Sequence, residues 1–526
     1  MLAPDKILPH TIAGVAAEEP GLVCLEDVTG RRLTYGQLHE SVLRWAAALR
    51  PLDVQPGDRV LTMFPNGFES FEVWLGVAWL RALEVPINTA HRGHSLEYLI
   101  ENSRAKVLVI AERFLPQLAE AGNVDQLDVV VVPDLSAPTE LPARVVAGDE
   151  LFAGVEPAAD LDGPAHYDIA CLIYTSGTTG PSKGVLVPWA ELFEFPAATP
   201  PGAFGSGLAY YACLPTFHVG GKSTLYTVAL HRGRAVLREV FSLSEFWGDI
   251  ERFQCSTTGL IGVMAQLLLA MPEQSGDADN SLTIIQTGPL FPEVEEFERR
   301  FGVRVFTGYG MTEIGAPLYV GADERVDWRS CGRIREGYEI RIVDEYDEPV
   351  PDGTVGELII RSDQPWRLNA GYFEMPDATA QAWRNGWFHT GDGFRRDEQG
   401  NYYFVDRLKD AMRKGGENIS SLEVEGFARE YPGVLEAAAI AAPSEFGPGE
   451  DEVKVLVVRK PDHEFTEKEL LDFLQPRMAK FMHPRYVEFV AELPKTPTQR
   501  VRKVELRADA LNARTWDRVA GGYCNG

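Results

Sequence analysis

The residues best equipped for chemistry lie in Tyr174-Thr175-Ser176-Gly177-Thr178-Thr179-Gly180-Pro181-Ser182-Lys183-Gly184. The apolar run Ile169 to Ile173 precedes them, so the segment is expected to leave a strand. Its three glycines let backbone approach a ligand closely. The hydroxyls of Thr175, Ser176, Thr178 and Thr179, with the backbone N–H groups, can cradle phosphate oxygens, and Lys183 adds a point charge. The spacing is not that of a GxxxxGK[ST] loop, because Gly184 follows Lys183. The bland alternative is a flexible Gly/Ser/Thr linker, but the full pattern arises by chance on the order of once in ten million. Further along, Gly308-Tyr309-Gly310-Met311-Thr312-Glu313 offers a flat ring, a hydroxyl for a phosphate, and in Glu313 a hard oxygen ligand suited to Mg²⁺. The competing reading is a core aromatic beside a surface acid. Asp392, in Trp387-Phe388-His389-Thr390-Gly391-Asp392, can accept two hydroxyls at once, or it is a turn aspartate. Asp406-Arg407-Leu408-Lys409-Asp410 is either a solvated charge run or a set of anion contacts.

In order and spacing these segments, with Gly415-Gly416-Glu417-Asn418-Ile419, resemble the motifs of the adenylate-forming enzymes: acyl-CoA synthetases, stand-alone adenylation domains and beetle luciferases. The resemblance covers nearly the whole chain. Phe404-Val405-Asp406-Arg407 and Ser420-Ser421-Leu422-Glu423-Val424-Glu425 look most like the crotonobetaine/carnitine-CoA ligase branch. The resemblance implies that Thr175, Ser176, Gly177, Thr178, Thr179, Gly180 and Lys183 hold ATP phosphates. It puts adenine against Tyr309 and beside Gly288 and Pro289, a phosphate at Thr312, the metal at Glu313 and the ribose at Asp392. Arg407 would reach the ribose or phosphate from a domain junction, Lys409 would be the hinge, and Gly415 and Gly416 would line the passage for pantetheine. Phe217, His218, Val219 and Gly220, with Gly308 and Gly315, would line the acyl pocket, His218 closing it. The implied cofactors are Mg²⁺ with ATP, and CoA as co-substrate.

The departures from the family pattern matter as much. Thr287-Gly288-Pro289 stands where the family has Gly-Ala-Pro. His218 stands where domains for α-amino acids carry an aspartate to pair the substrate ammonium; a buried ammonium without a partner is costly, which argues against such substrates. Val219-Gly220-Gly221 and Gly315 suggest room for an apolar, bulky acid. The family closes on Pro-Lys-Thr-x-x-Gly-Lys, whose lysine bridges the substrate carboxylate and the α-phosphate. This chain reads Pro494-Lys495-Thr496-Pro497-Thr498-Gln499-Arg500. Arginine and lysine are not interchangeable at a tight charge site. Two readings stay open: adenylation is impaired while thioester formation survives, or the loop has adjusted and Arg500 does the lysine's work.

The elements that must position these residues are an α/β set. Thr34-Tyr35-Gly36-Gln37 reads as a capping box, and Leu38, Val42, Trp45, Ala46 and Leu49 recur at helical spacing after it. Arg59 to Met63, Lys106 to Ile110 and Val129 to Val132 read as buried strands, and Phe71 to Leu80 as a buried helix. Tyr338 to Val343 and Gly356 to Ile360 read as an antiparallel hairpin. After a hairpin-like Gly400 to Val405, a helix from about Leu422 to Tyr431 and strands near 434–441 and 453–458 form one small domain. The expectation is a large N-terminal domain of packed mixed sheets and helices, 1–406, and a small mobile C-terminal α/β domain, 407–526.

Composition sets the outer limits. Lysine and arginine total 50 against 77 acids, a net charge of −27, which argues against a nucleic-acid partner. Six scattered cysteines without a CxxC pair suggest neither a disulfide framework nor a zinc site. No apolar run approaches the ~20 residues of a membrane span, and Met1 to Lys6 open no signal peptide, so a soluble cytoplasmic protein is expected. The expected function is ATP-dependent acyl-CoA ligation through acyl-AMP. Its alternatives are a thioester-forming enzyme with impaired adenylation, a stand-alone enzyme loading a carrier protein, and a non-catalytic nucleotide-binding protein. The identity of the acid and the oligomeric state stay open.

Overall fold

The computed structural model describes residues 2–175, 182–199, 204–321, 324, 327–414, 417–445, 451–496 and 500–523, with backbone alone at 417 and 418. One sheet of seven strands runs in the order Arg144–Ala147, Val129–Val132, Val107–Ile110, Arg59–Met63, Leu83–Pro86, Ile169–Thr175, Lys183–Pro188. Its neighbours are parallel except the last pair, which is antiparallel. The β-branched runs at 107–110 and 129–132 are buried throughout, as parallel strands covered on both faces require. Thr34 caps the helix Tyr35–Leu49 with the expected box: its hydroxyl accepts from Gln37 N at 3.2 Å, and the Gln37 side chain accepts from Thr34 N at 2.9 Å.

The second sheet has fourteen strands. Its parallel centre holds Ala209–Ala212, Thr257–Ile261, Ile284–Gly288 and Arg304–Met311. From Gly315–Val320 outward it is antiparallel, through Ser330–Ile334, Tyr402–Arg407, Trp387–Arg396, Gly356–Ser362 and Tyr338–Val343. The hairpin read from Tyr338 and Gly356 is present, with Ile340 opposite Ile360.

The chemistry-bearing segments follow the carboxyl ends of parallel strands: Thr175 ends one, Gly288 another and Met311 a third, while Cys213 to His218 leave Ala212. Open α/β sheets place ligands at such ends. The helix Val219–Leu230 is locked to the first sheet by a buried ion pair between Lys222 and Glu84 of Leu83–Pro86, with Thr62 donating to Glu84 at 2.8 Å and the Lys222 ammonium 3.9 Å from the Trp74 ring. Removing one member of such a pair costs about 3–5 kcal/mol, because the other charge is stranded. The pair therefore fixes the segment after Ala212 against the sheet that carries Thr175 and Lys183.

After Arg407 come a two-stranded ribbon, Met412–Lys414 with Glu417–Ile419, and a four-stranded sheet of Val434–Pro443, Asp451–Arg459, Tyr486–Phe489 and Trp516–Asp517. The helices Ser421–Arg429 and Glu467–Leu474 accompany that sheet, each with a side-chain N-cap, and a separate apolar cluster fills this part. Among the described residues no helix is long and apolar enough to cross a membrane.

Candidate functional site

Glu313 lies in the turn between Arg304–Met311 and Gly315–Val320, buried, with Thr312 partly exposed beside it. Its carbonyl accepts from Asn369 N at 3.0 Å and Asn369 Nδ2 at 2.8 Å, which pins the turn. Its carboxyl accepts from Tyr372 OH at 3.2 Å through Oε1. The same Tyr372 ring lies 4.6 Å from the Lys183 ammonium, so Lys183 and Glu313 are joined through one aromatic side chain. Burial holds the Glu313 carboxyl above the usual carboxylate range, with Tyr372 and Arg407 pulling the other way. A buried hard-oxygen donor of this kind fits a divalent cation, whose charge would stabilise the ionised form.

Asp392 is a strand residue, not the turn aspartate that Thr390-Gly391-Asp392-Gly393 suggested: it sits within Trp387–Arg396, paired in register with Arg407. Glycine-rich sequence reads as a turn, but Gly391 takes φ +70° inside the strand. The strand is held there from the neighbouring one. Gly391 N donates to Glu357 Oε1 at 3.0 Å, His389 Nδ1 lies 3.0 Å from Glu357 Oε2, and Thr390 donates to Leu358 O at 2.7 Å. Asp392 accepts from Tyr309 OH at 2.7 Å and faces Arg407 Nε at 3.7 Å. Burial raises its pKa despite Arg407, Tyr309 and Arg500 nearby. Tyr309 packs its ring edge-on to Phe394, with centroids 4.8 Å apart. A ring fixed by Asp392 at its hydroxyl is a rigid plate beside the carboxylate expected to hold a ribose.

Arg407 ends its strand, and the chain then turns: Asp410 N and Ala411 N both donate to Arg407 O, at 2.9 and 3.0 Å, and Leu408 N donates to Gly391 O at 3.0 Å. Lys409 is exposed at the tip of this turn. Asp406 is buried and faces the other way, accepting from Ser421 N at 2.6 Å and Ser421 Oγ at 2.5 Å at the start of the helix Ser421–Arg429.

Arg500 comes from the far end of the chain. Thr496 N donates to Arg500 O at 2.7 Å, Arg500 N to Thr496 Oγ1 at 3.1 Å, and Arg502 N to Pro494 O at 2.7 Å, which closes the loop into a tight hairpin. The residue is exposed, and its guanidinium lies within electrostatic reach of Arg407, Asp392, Tyr309 and Glu313. Desolvation by the cleft walls and Arg407 lower its pKa, and Asp392, Tyr309 and Glu313 raise it. Its charge also bears on His218, whose imidazole is pushed down to about 4 by burial, then Arg500 and His91. His218 caps the helix Val219–Leu230, its ring 4.7 Å from that of Phe217, and its Nε2 is buried without a partner among the described residues. It is therefore a neutral imidazole at neutral pH.

The structure thus brings together Lys183, Tyr309, Thr312, Glu313, Asp392, Arg407 and Arg500, with His218 close by. Thr175 ends its strand, its hydroxyl 3.5 Å from Lys183 O. Gly288 faces open space: a Cβ there would meet nothing within 4 Å, and Pro289 follows it. Ser176, Gly177, Thr178, Thr179, Gly180, Gly415, Gly416 and Gln499 lie outside the described residues. The small side chains read as a roomy acyl pocket have another cause. A Cβ on Gly221 would sit 2.2 Å from Pro215 O, on Gly308 2.6 Å from Leu318 O, and on Gly315 2.8 Å from Glu194 Cβ. These glycines permit close packing, and only Gly220 is looser, at 3.5 Å from Leu214. Tyr372 and Asn369 escaped the sequence reading because each reaches Glu313 across more than fifty residues with no local pattern. Glu191 also escaped it: fully buried, both carboxyl oxygens unpartnered among the described residues, its pKa raised well up by burial and by Glu313. Two acids, Glu191 and Glu194, inside the otherwise apolar run Val185 to Phe195 were the available signal.

Residues 12–373 match the family described as AMP-binding enzyme, and 423–500 the AMP-binding enzyme C-terminal domain. The chain is 31% identical over 512 residues to a crotonobetaine/carnitine–CoA ligase of Salmonella arizonae, covering 94% of this chain and 97% of that protein. A crotonobetaine/carnitine–CoA ligase of Escherichia coli is 30% identical over 509 residues, with the same coverage. ATP-bound MatB from Rhodopseudomonas palustris, a solved structure, is 25% identical with a TM-score of 0.83, over 95% of this chain and 98% of that one. A benzoate CoA ligase from Burkholderia xenovorans is 25% identical with a TM-score of 0.81, over 95% and 99%. The chain belongs to the AMP-binding enzyme family of adenylate-forming acyl-CoA ligases.

Proposed function

We propose that this enzyme activates a carboxylic acid with MgATP to an acyl-adenylate and then transfers the acyl group to CoA. The observation that carries this reading is the convergence of Lys183, Glu313, Asp392, Arg407 and Arg500, from five separate segments, on one cleft. In the first half-reaction a carboxylate oxygen attacks the α-phosphorus, the bond to the bridging oxygen of the β-phosphate breaks, and pyrophosphate leaves with the electron pair. Both reactants are anions, so catalysis here is alignment and charge neutralisation. Lys183 and Arg500 neutralise, Asp392 and Tyr309 hold the nucleoside, Arg407 reaches the ribose or phosphate, and Glu313 offers the oxygen ligand for Mg²⁺. When bound, the cation offsets the charge of the phosphates.

In the second half-reaction the CoA sulfur attacks the acyl carbon and AMP departs. A free thiol has a pKa near 8.5 and AMP is a good leaving group, so no protein nucleophile is needed. We place the domain boundary between 406 and 407, the hinge at Lys409, and the pantetheine passage at Gly415 and Gly416. His218, a neutral imidazole, closes the acyl pocket with Phe217, Val219 and Gly220. The position of Arg500 beside Asp392 and Glu313 favours an adenylation-competent enzyme over one confined to thioester formation.

The test is pyrophosphate–ATP exchange over a panel of acids, with the thioester identified by mass using free CoA and holo carrier protein in parallel. The panel begins with crotonobetaine, carnitine and benzoate, the acids in the relatives' names. Exchange with CoA thioester as product supports the reading. Thioester from supplied acyl-AMP without exchange, or transfer to carrier protein alone, overturns it.

A further inference from the structure

We propose that Gln286 and Tyr210 form a polar floor to the acyl pocket, so that the acid this enzyme activates carries an uncharged hydrogen-bonding group, a hydroxyl or an amide, at the end remote from its carboxylate. The inference rests on the acyl-adenylate reading above and deepens it: it names the class of acid, where the small residues of the sequence suggested an apolar one.

Gln286 breaks the pattern of its strand. Parallel strands at the centre of a sheet are covered on both faces and are apolar throughout. Ile284–Gly288 lies between Thr257–Ile261 and Arg304–Met311 and is parallel to both. Ile284, Ile285 and Thr287 are buried, as that position requires, but Gln286 is exposed. A residue with a strand on either side is exposed only where its own face opens into a cavity. The opposite face is filled, because Ile285 packs in the apolar cluster of Phe246, Phe297 and Phe301. On the face of Gln286, Ile284 is closed in by Phe306 and Phe204, whereas a Cβ on Gly288 would meet nothing within 4 Å. The opening therefore begins above Ile284 and runs to Gly288 at the carboxyl end of the strand. At about 3.3 Å per residue, Gln286 lies about 7 Å deeper than Gly288.

The neighbouring strands supply the second polar group. Gly259 pairs with Gln286, and Tyr210 pairs with Thr257 two residues earlier, so all of them share one face. A Cβ on Gly259 would stand 2.5 Å from the Tyr210 hydroxyl oxygen. The phenol tip thus fills the space of the missing side chain, one strand spacing, about 4.8 Å, from the Gln286 backbone. The same Cβ would stand 3.8 Å from Leu214, and Leu214 is 3.5 Å from where a Cβ on Gly220 would be. Leu214 is the wall shared with the segment Phe217 to Gly220 expected to line the acyl pocket. Burial raises the pKa of the Tyr210 phenol, which keeps it a neutral donor. The Gln286 amide both donates and accepts. Neither group carries a charge, so a second carboxylate or an ammonium at the remote end of the acid would be desolvated here without a counter-ion. An alkyl end would cover Gln286 and leave its amide without water or partner. A hydroxyl or an amide satisfies both residues, and a site built for such a group rejects the analogue that lacks it.

The experiment uses stable mimics of the acyl-adenylate, the adenosine N-acyl sulfamates of 4-hydroxybenzoate, 4-carbamoylbenzoate, 4-methylbenzoate and 4-carboxybenzoate. Each is titrated calorimetrically, beside AMP, into the full-length parent, Gln286→Leu and Tyr210→Phe. The parent should bind the better of the hydroxyl and amide mimics roughly tenfold or more tighter than the methyl and carboxyl mimics. Gln286→Leu should erase that preference, partly by gaining affinity for the methyl mimic, and Tyr210→Phe should cut it several-fold. AMP, which has no acyl group, should bind all three proteins alike. Pyrophosphate–ATP exchange with the four free acids should follow the same order in kcat/KM. With AMP binding intact, a methyl mimic bound as tightly as the hydroxyl and amide ones overturns this proposal alone. So does a preference that survives Gln286→Leu or is untouched by Tyr210→Phe. A parent that binds neither AMP nor any mimic overturns the acyl-adenylate reading and this proposal together.

Discussion

Arg500 is the residue on which this chain departs most sharply from the lysine of its family, and its position allows the consequence to be worked out. The guanidinium stands in the cleft with Asp392, Tyr309 and Glu313, on a loop closed by the Thr496 and Pro494 hydrogen bonds. A unit charge about 4 Å from a phosphate or carboxylate is worth about 4 kcal/mol at an effective dielectric of about 20. Arg500 retains solvent, so about 3 kcal/mol is the fitting figure, which is roughly a 10²-fold effect on rate. Arg500→Ala should therefore slow acyl-AMP formation roughly 10²-fold, measured as pyrophosphate release in single turnover without CoA. Arg500→Lys should lose several-fold, because the ammonium lacks the fork of donors that this loop presents. Transfer from supplied acyl-AMP should not change in either variant, since that half-reaction no longer contains the carboxylate and triphosphate that Arg500 draws together. A gain in adenylation on Arg500→Lys, or parent-rate adenylation in Arg500→Ala, would refute the argument and restore the reading of an impaired site.

Glu313→Gln keeps the shape and the Tyr372 contact but removes the anionic ligand, so adenylation should fall roughly 10²-fold and recover little with added Mg²⁺; a parent-like rate dismisses Glu313 as the metal ligand. His218 has a folded pKa of about 4 against about 6.5 unfolded, so its contribution to stability is present above pH 6.5 and lost as the pH falls through 4. Partial exposure discounts the full shift to about 2 kcal/mol, and His218→Gln should blunt the acid loss of stability in urea titrations by that amount; identical acid limbs would dismiss the buried-imidazole assignment. Glu191 has a raised pKa, so it stabilises below the unfolded carboxylate value and that contribution is lost as pH rises through the folded one. Glu191→Gln, neutral at every pH, should gain about 1–3 kcal/mol at pH 8 by urea midpoint, and a loss there would mean the carboxylate has a partner.

Much of the fold was legible because it is local. Gln37 answers Thr34 three residues away, and the valines at 129–132 fill a strand buried on both faces. The hairpin at 338–362 carries its own turn signal in Asp352-Gly353, with Gly353 at φ +84°. The candidate site was legible as a list of residues, because a matched family pattern names them, but not as an arrangement. Nothing near Glu313 in the sequence announces Tyr372 or Asn369, and nothing near Asp392 announces Glu357, which holds Gly391 from an adjacent strand. Those partners are set by sheet register, and register joins segments that share no periodicity. Asp392 was open to misreading for the opposite reason: local chemistry suggested a turn, while pairing with Tyr402–Arg407 keeps the segment extended.

The electrostatics of the cleft make a single physical statement. Burial raises the pKa of Glu313 and Asp392, and like charges with desolvation lower those of Lys409 and Arg500. Each group is thus pushed toward the form that would not bind MgATP, although each has the opposite form at neutral pH by its intrinsic chemistry. A cleft built this way is destabilised by its own charges and relieved by a ligand that brings cation and polyanion together. Nucleotide binding should then stabilise the fold by more than the contact area alone would supply, because Glu313, Asp392 and Arg500 are relieved together.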